Sequence, residues 1–200
     1  MKRIFDFSFS LLGIIFLLPF LFLVALLIII DSKGPIFFKQ ERIGRNAKPF
    51  LMYKFRSMIY NHTDSNFITS SNDKRITRFG RLIRKYKIDE LPELFNVLIG
   101  DMSLVGPRPD VAGYADKLID EERILLSLRP GITGPASLKY ANEEELLSKK
   151  ENPKEYNDKI IYPDKVRINL HYYYNHNLYT DIKIIFATLF LRNFEQKIKK

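Results

Sequence analysis

The sequence predicts an α+β protein, with an N-terminal membrane segment and a small, mostly helical part carrying one short β-hairpin and interfacial amphipathic helices. Three observations predict it: a long uncharged run near the N-terminus, two short extended pieces around a Gly-Arg-Asn turn, and basic helical segments behind them. At 200 residues the chain is expected to form one domain, 1–200. Its segments would be 1–31 in the membrane and 32–200 outside it.

The first element is the run Leu11 to Ile30, twenty residues without a charge, closed by Asp31. A helix of that length reaches about 30 Å, the thickness of a bilayer core. It is too long for a secretory signal, and no small-x-small cleavage site follows it. Lys2, Arg3 and Asp6 precede the run with a net charge of +1; the remainder holds 30 basic and 22 acidic residues, a net of +8. The positive-inside tendency draws both flanks to the cytoplasm. Pro19 lies mid-run, where it removes a backbone hydrogen bond and favours a bend. Taken alone, these facts leave a single crossing and a re-entrant hairpin equally open, because spanning helices also tolerate proline.

Next, Ile36-Phe37-Phe38 and Phe50-Leu51-Met52-Tyr53 flank Gly44-Arg45-Asn46, which reads as a β-hairpin. Residues 61 to 73 are polar and read as a loop. Ile76 to Lys87 has helical period, with Ile76, Phe79, Leu82, Ile83 and Tyr86 on one face. Residues 74 to 87 also carry seven basic side chains and no acid. An apolar face beside such charge suits a helix lying on an anionic membrane surface. Pro92 to Ile99 reads as a helix, with Leu91, Leu94, Phe95 and Leu98 on one side and Gly100 as its stop. Between Pro92 and Pro135 lie five of the ten prolines and five of the nine glycines, which points to shaped loops around a site. Charged surface helix and turn are expected over 143 to 165. Leu178 to Lys199 reads as an amphipathic helix turning Ile182, Ile185, Phe186, Leu189 and Phe190 inward or into lipid.

The chemistry candidates are few. Cysteine is absent, which excludes a disulfide framework and a thiol nucleophile. His171 and His176 are five apart and do not share a helix face, so they are not read as a metal pair. Asp89-Glu90 precede a helix, where an acid ordinarily caps free backbone N–H groups. With seven cations before them and a helix start behind, both carboxylates should stay ionised. Mutual repulsion would then be relieved by a divalent cation such as Mg²⁺, and a carboxylate can also attack phosphorus. Local sequence favours capping. Gly106-Pro107-Arg108-Pro109 and Arg129-Pro130-Gly131 each set an arginine on a stiff turn, suited to phosphate. Lys54 and Arg56 either add phosphate contacts or are plain exposed strand positions. Tyr172-Tyr173-Tyr174 reads as packing or an interfacial belt.

Together these residues resemble the bacterial sugar transferase family, the monotopic phosphoglycosyl transferases. The matching strings are Lys54-Phe55-Arg56-Ser57-Met58, Ile88 to Val97, Gly100-Asp101-Met102-Ser103, Gly106-Pro107-Arg108-Pro109 and Arg129 to Gly134. They occur in family order behind an N-terminal membrane helix, and the length is that of the minimal catalytic form. The resemblance implies transfer of a phospho-sugar from a UDP-sugar to a polyprenyl phosphate, typically undecaprenyl phosphate, with release of UMP. It implies a ping-pong route in which Asp89 is the nucleophile and Glu90 its dyad partner. Mg²⁺ would sit at Asp89, and Lys54, Arg84, Arg108 and Arg129 would lie near the substrate phosphates. It also implies a re-entrant helix-break-helix at the bacterial inner membrane, with a cytosolic catalytic part and later-acting glycosyltransferases as partners. The family breaks its helix at Ser-Pro; here the pair is Leu18-Pro19, so the proline is kept and the serine's backbone hydrogen bond is lost. The stretch Pro135 to Pro163 is longer and more acidic than the family pattern. Sugar choice is expected near it, so the sugar does not transfer by analogy. The rival class is a non-enzymatic, membrane-anchored basic module binding anionic lipid or nucleic acid. The net charge of +9 first suggests nucleic acid. Split between a lipid-facing and a diphosphate-facing surface, it no longer requires that partner. A polytopic transferase is excluded because one apolar segment alone is long enough.

Overall fold

In a computed structural model, residues 1–59, 73 and 75–198 are described. The loop expected over 61 to 73 lies outside the described residues except for Asp73, and Lys74 lies outside them too.

Helix α1 runs over Lys2–Asp31 as one element with Pro19 inside it, so the expected helix-break-helix appears here as a single helix. Its buried residues are Asp6, Ser10, Ile14, Leu21, Val24 and Ile28, a line along one side set by the helical repeat. Much of its remaining surface is apolar and exposed, including Leu12, Phe16, Leu18, Phe22 and Ile30. It is long and apolar enough to cross a membrane, which makes the chain compatible with membrane association.

Strands β1 (Phe37–Ile43) and β2 (Pro49–Phe55) pair antiparallel, from Phe37 opposite Phe55 to Ile43 opposite Pro49. The expected hairpin is therefore present. Its turn carries Asn46 at φ 57° and Ala47 at φ 58°; asparagine tolerates that left-handed conformation readily.

Helix α2 (Arg78–Lys85) is shorter than its periodicity predicts. Thr77 caps it, accepting from Gly80 N at 2.9 Å. Its apolar residues divide between two faces. Ile83 joins a core with Leu21, Val24, Ile28 and Phe55, and Phe79 packs on it. Leu82 and Tyr86, 49% and 58% exposed, turn outward. Leu82 lies about 60° from Phe79 and about 100° from Ile83 around the helix, and Tyr86 follows the last helical residue as the C-cap.

Helix α3 (Glu93–Ile99) ends at Gly100, whose φ of 110° suits glycine. Its deepest positions are Glu93, Asn96 and Val97, where Leu91, Leu94, Phe95 and Leu98 were expected. Asn96 explains part of this: its Nδ2 donates to Leu51 O at 2.7 Å, and its Oδ1 accepts from Tyr53 N at 2.9 Å. A buried amide with both ends satisfied stitches α3 to the exposed edge of β2.

Strand β3 (Ser103–Val105) pairs in parallel with β4 (Gly131–Thr133). Helices α4 (Pro135–Lys139), α5 (Glu143–Ser148), α6 (Pro153–Tyr156), α7 (Tyr162–Asn175) and α8 (Leu178–Ile198) complete the described chain. A polar network locks α1 to this half. Buried Asp6 accepts from Ser103 Oγ at 2.8 Å and Leu104 N at 3.2 Å. Lys2 Nζ lies 2.5 Å from Asp181 Oδ2, whose other oxygen accepts from Tyr172 Oη at 2.6 Å. Tyr172 is thus buried packing within its aromatic run.

Candidate active site

The tight turn Ile88–Glu90 joins α2 to α3, and Lys87 enters it with φ 57°, a left-handed conformation strained for a lysine. That turn buries Asp89 and points Glu90 toward the hairpin and the Gly106-Pro107-Arg108-Pro109 loop. Glu90 Oε1 accepts from Lys54 Nζ at 2.9 Å and from Arg108 Nη2. Glu93, one turn on, is 1% exposed and lies 3.4 Å from the same Lys54. Lys54 and Arg108, from β2 and the loop after β3, therefore converge on one acid.

Asp89 has a different environment. Its Oδ1 is buried without a hydrogen-bond partner. The capping reading fails, because neither the Ile88–Glu90 turn nor α3 has a side-chain cap. Nor are the two carboxylates alike, as equal ionisation would require. Burial, then the charge of Glu90, push the Asp89 carboxyl above its usual range, against Lys54, Lys87 and Arg84. Burial also raises Glu90, but Arg108 and Lys54 outweigh it and hold Glu90 well below the usual range. Burial and the neighbouring Glu90 push Glu93 up to about 7.

Asp89, Glu90, Lys54, Arg84 and Arg108 all line one cleft of about 1500 Å³. Arg129 is not brought there. Its Nε donates to Gly100 O at 2.8 Å, and its charged neighbours are Arg45, Arg3 and Asp6. Arg56 is neither an exposed strand position nor set beside Glu90. It is 4% exposed and donates to Ile28 O at 3.3 Å and Ser32 O at 2.6 Å, closing the C-terminal end of α1. Pro19 lies in α1, away from the Ile88–Glu90 turn in sequence and outside the cleft lining. Sequence reasoning missed Glu93. Glu93 was visible as an acid one turn beyond Asp89, but its burial against Lys54 depends on where the hairpin docks.

An acid with a free buried oxygen, beside an acid saturated by two cations, suits attack on an electrophile carrying several negative charges. The sequence matches the model of the bacterial sugar transferase family over residues 1–194. The chain belongs to the bacterial sugar transferase family. It is 39% identical over 197 residues to an exopolysaccharide production protein, PSS, of Rhizobium leguminosarum bv. phaseoli, covering 94% of this chain and 93% of that protein. It is 37% identical to a UDP-glucose:undecaprenyl-phosphate glucose-1-phosphate transferase of Klebsiella pneumoniae, covering 94% of this chain and 39% of that one. It is 35% identical to a UDP-N-acetylgalactosamine-undecaprenyl-phosphate N-acetylgalactosaminephosphotransferase of Aeromonas hydrophila, covering 94% and 42% respectively. The chain thus spans nearly all of one relative but under half of the two whose names carry a reaction. Those two differ in sugar.

Proposed function

We propose that this chain moves a sugar phosphate from a UDP-sugar to undecaprenyl phosphate, giving undecaprenyl-diphosphate-sugar and UMP through a covalent aspartyl intermediate. The observation that carries the reading is Asp89 Oδ1, a buried carboxylate oxygen without a partner beside a cation-saturated Glu90. The names of the Klebsiella and Aeromonas relatives support the same reaction class.

In the first step an Asp89 oxygen attacks the β-phosphorus. The bond from that phosphorus to the bridging oxygen breaks, and UMP leaves with the electron pair. In the second step an oxygen of undecaprenyl phosphate attacks the same phosphorus. The acyl-phosphate bond breaks, and Asp89 returns as a carboxylate. Positioning and charge neutralisation dominate such transfers. Lys54 and Arg108 orient Glu90 beside the nucleophile, and with Arg84 they offer cations to the diphosphate. Glu90 assists the incoming acceptor. Arg129 supports the Gly100 turn from outside the cleft.

Mg²⁺ uses one or two carboxylates and completes its shell with substrate phosphates and water. The free Asp89 oxygen fits that pattern. Among the described residues no group of three or more His, Asp or Glu could make a closed site. Asp89 would hold the ion jointly with the diphosphate, and the ion would supply neutralising charge.

A re-entrant α1 fits the same reading. Polar groups of one body hold both ends of α1: Ser103 and Asp181 near its start, Arg56 at its finish. A single crossing would drag part of that body through the bilayer, where unsatisfied polar groups are costly. The chain would then be monotopic, on the cytoplasmic face of the bacterial inner membrane. Its exposed Leu82 and Tyr86 and the basic α2 would meet anionic lipid, and later-acting glycosyltransferases would consume its product.

The test is UMP release from a panel of UDP-sugars with Mg²⁺ and undecaprenyl phosphate. Release is expected with at least one donor, and Asp89→Asn should abolish it while leaving membrane association intact. No release from any donor would favour the basic lipid-binding module, and full activity of Asp89→Asn would overturn the nucleophile.

A further inference from the structure

We propose that Asp110 and Asn169 form the wall of the cleft that recognises the sugar of the donor substrate; this rests on the transferase reading above. Asp110 follows the stiff Gly106-Pro107-Arg108-Pro109 turn. Ile43 N donates to its carbonyl at 2.9 Å, and Arg42 Nη1 donates to Pro109 O at 3.3 Å, so the backbone there is fixed by the hairpin. Among the described residues its carboxylate accepts no hydrogen bond. Burial pushes that carboxyl up to about 6 against the charges of Lys165 and Arg42. Lys165, however, is engaged by both oxygens of Glu143, at 2.7 and 2.6 Å. Asn169 lies one turn beyond Lys165 on α7, is 8% exposed, and leaves its Oδ1 buried without a partner. Both residues line the cleft that holds Asp89 and Glu90.

Lys54, Arg84 and Arg108 act on the acids of the Ile88–Glu90 turn, whereas Asp110, Asn169 and Glu143 add acceptors to the cleft beside Lys165 and Arg42. A diphosphate would be repelled by the Asp110 carboxylate, but a neutral polyol brings O–H donors for that half-buried acid and for the unpartnered Asn169 Oδ1. The choice of sugar over uracil follows from order along the substrate. Asp110 is two residues from Arg108, and hence within about 7 Å of it along the chain. Arg108 holds the neighbour of the nucleophile. The group attached directly to the attacked phosphorus is the sugar, with uridine one phosphate further away. A site built to bond a hydroxyl rejects a donor lacking or inverting it by large factors.

The test uses the full chain in nanodiscs. The preferred UDP-sugar and its epimers are compared for kcat and KM, with UMP affinity measured by calorimetry. Asp110→Asn and Asn169→Leu should each lower kcat/KM for the preferred donor at least tenfold, mainly through KM. They should also drive its ratio over the epimer toward one, while UMP affinity stays within twofold. Variants that bind UMP and keep wild-type discrimination overturn the proposal. So does loss of UMP affinity in both Asp110→Asn and the near-isosteric Asn169→Asp, which would make this the nucleotide wall. A wild-type chain that turns over no UDP-sugar instead sinks the transferase reading itself.

Discussion

Lys54 lies between two acids with opposite tendencies, Glu90 at 2.9 Å and Glu93 at 3.4 Å, and Arg108 decides which of them keeps its charge. Arg108 hydrogen-bonds Glu90 and not Glu93, so Glu90 is held well below the usual carboxylate range while burial and the charge of Glu90 push Glu93 up to about 7. Removing a preorganised charged donor from a reacting site costs about 10²- to 10³-fold in rate. Arg108→Ala should therefore lower UMP release by about that factor. Because the side chain is 43% exposed, its melting temperature should change little. A large loss of stability with a proportionate loss of rate would make Arg108 structural. Glu93 gives a prediction in pH. Its folded-state value of about 7 lies above its ordinary 4.5, so between those values the folded chain binds more proton than the unfolded one. Stability should fall as pH rises through that window. Glu93→Gln removes the fall, so its Tm should exceed that of the wild type near pH 8 and converge on it near pH 4. A constant Tm offset across the range would contradict it. The acids themselves were legible in the sequence, where Asp89-Glu90 stood out behind seven cations. Their inequality was not, because burial of Asp89 and the convergence of Lys54 and Arg108 depend on contacts between segments distant in sequence.

At the scale of elements, the hairpin and the end of α3 were readable because each rests on local chemistry: two short apolar pieces flanking the turn-prone Gly44-Arg45-Asn46, and a glycine stop at Gly100. The inner face of α3 was misread because Asn96 is buried to satisfy the backbone of β2, which no helical period announces. The parallel pair β3 and β4 was equally hidden, since three-residue strands carry no period. Its glycines nonetheless explain themselves in three dimensions. A Cβ at Gly131 would lie 2.1 Å from Gly106 N, and one at Gly134 would lie 2.2 Å from Gly106 O. Backbone cannot yield as a flexible side chain does, so Gly131→Ala should displace the Gly106-to-Pro109 turn and carry Arg108 off Glu90. Overpacking of this kind costs about 1–3 kcal/mol or more. The expected outcome is a lowered Tm together with a rate loss at least as large as that of Arg108→Ala. Wild-type kinetics in Gly131→Ala would show that the close approach of β3 and β4 does not position the arginine.

For the whole molecule the deciding question is which side of the bilayer each end of α1 meets. An apolar run with a proline left crossing and return equally open, because both need twenty uncharged residues. The contacts that bear on the proposed return are absent from any local pattern: Asp6 is held by Ser103 and Leu104, and the carbonyls of Ile28 and Ser32 are held by Arg56. Two ends gripped by the same body favour the same side. The chain has no cysteine, so single thiols can report this without background. One cysteine is placed ahead of Met1 and another at Lys33→Cys, an exposed position just beyond α1. In inside-out inner-membrane vesicles a membrane-impermeant maleimide should label both, and in intact spheroplasts neither. Labelling of one in each preparation would establish a single crossing and overturn the re-entrant course. Asp6→Ala would then separate anchoring from topology. If the polar grip selects the return path, loss of Asp6 should expose the N-terminal thiol on the outer face in a fraction of molecules. If the lipid and Pro19 select it, the labelling pattern should stay that of the wild type while stability drops.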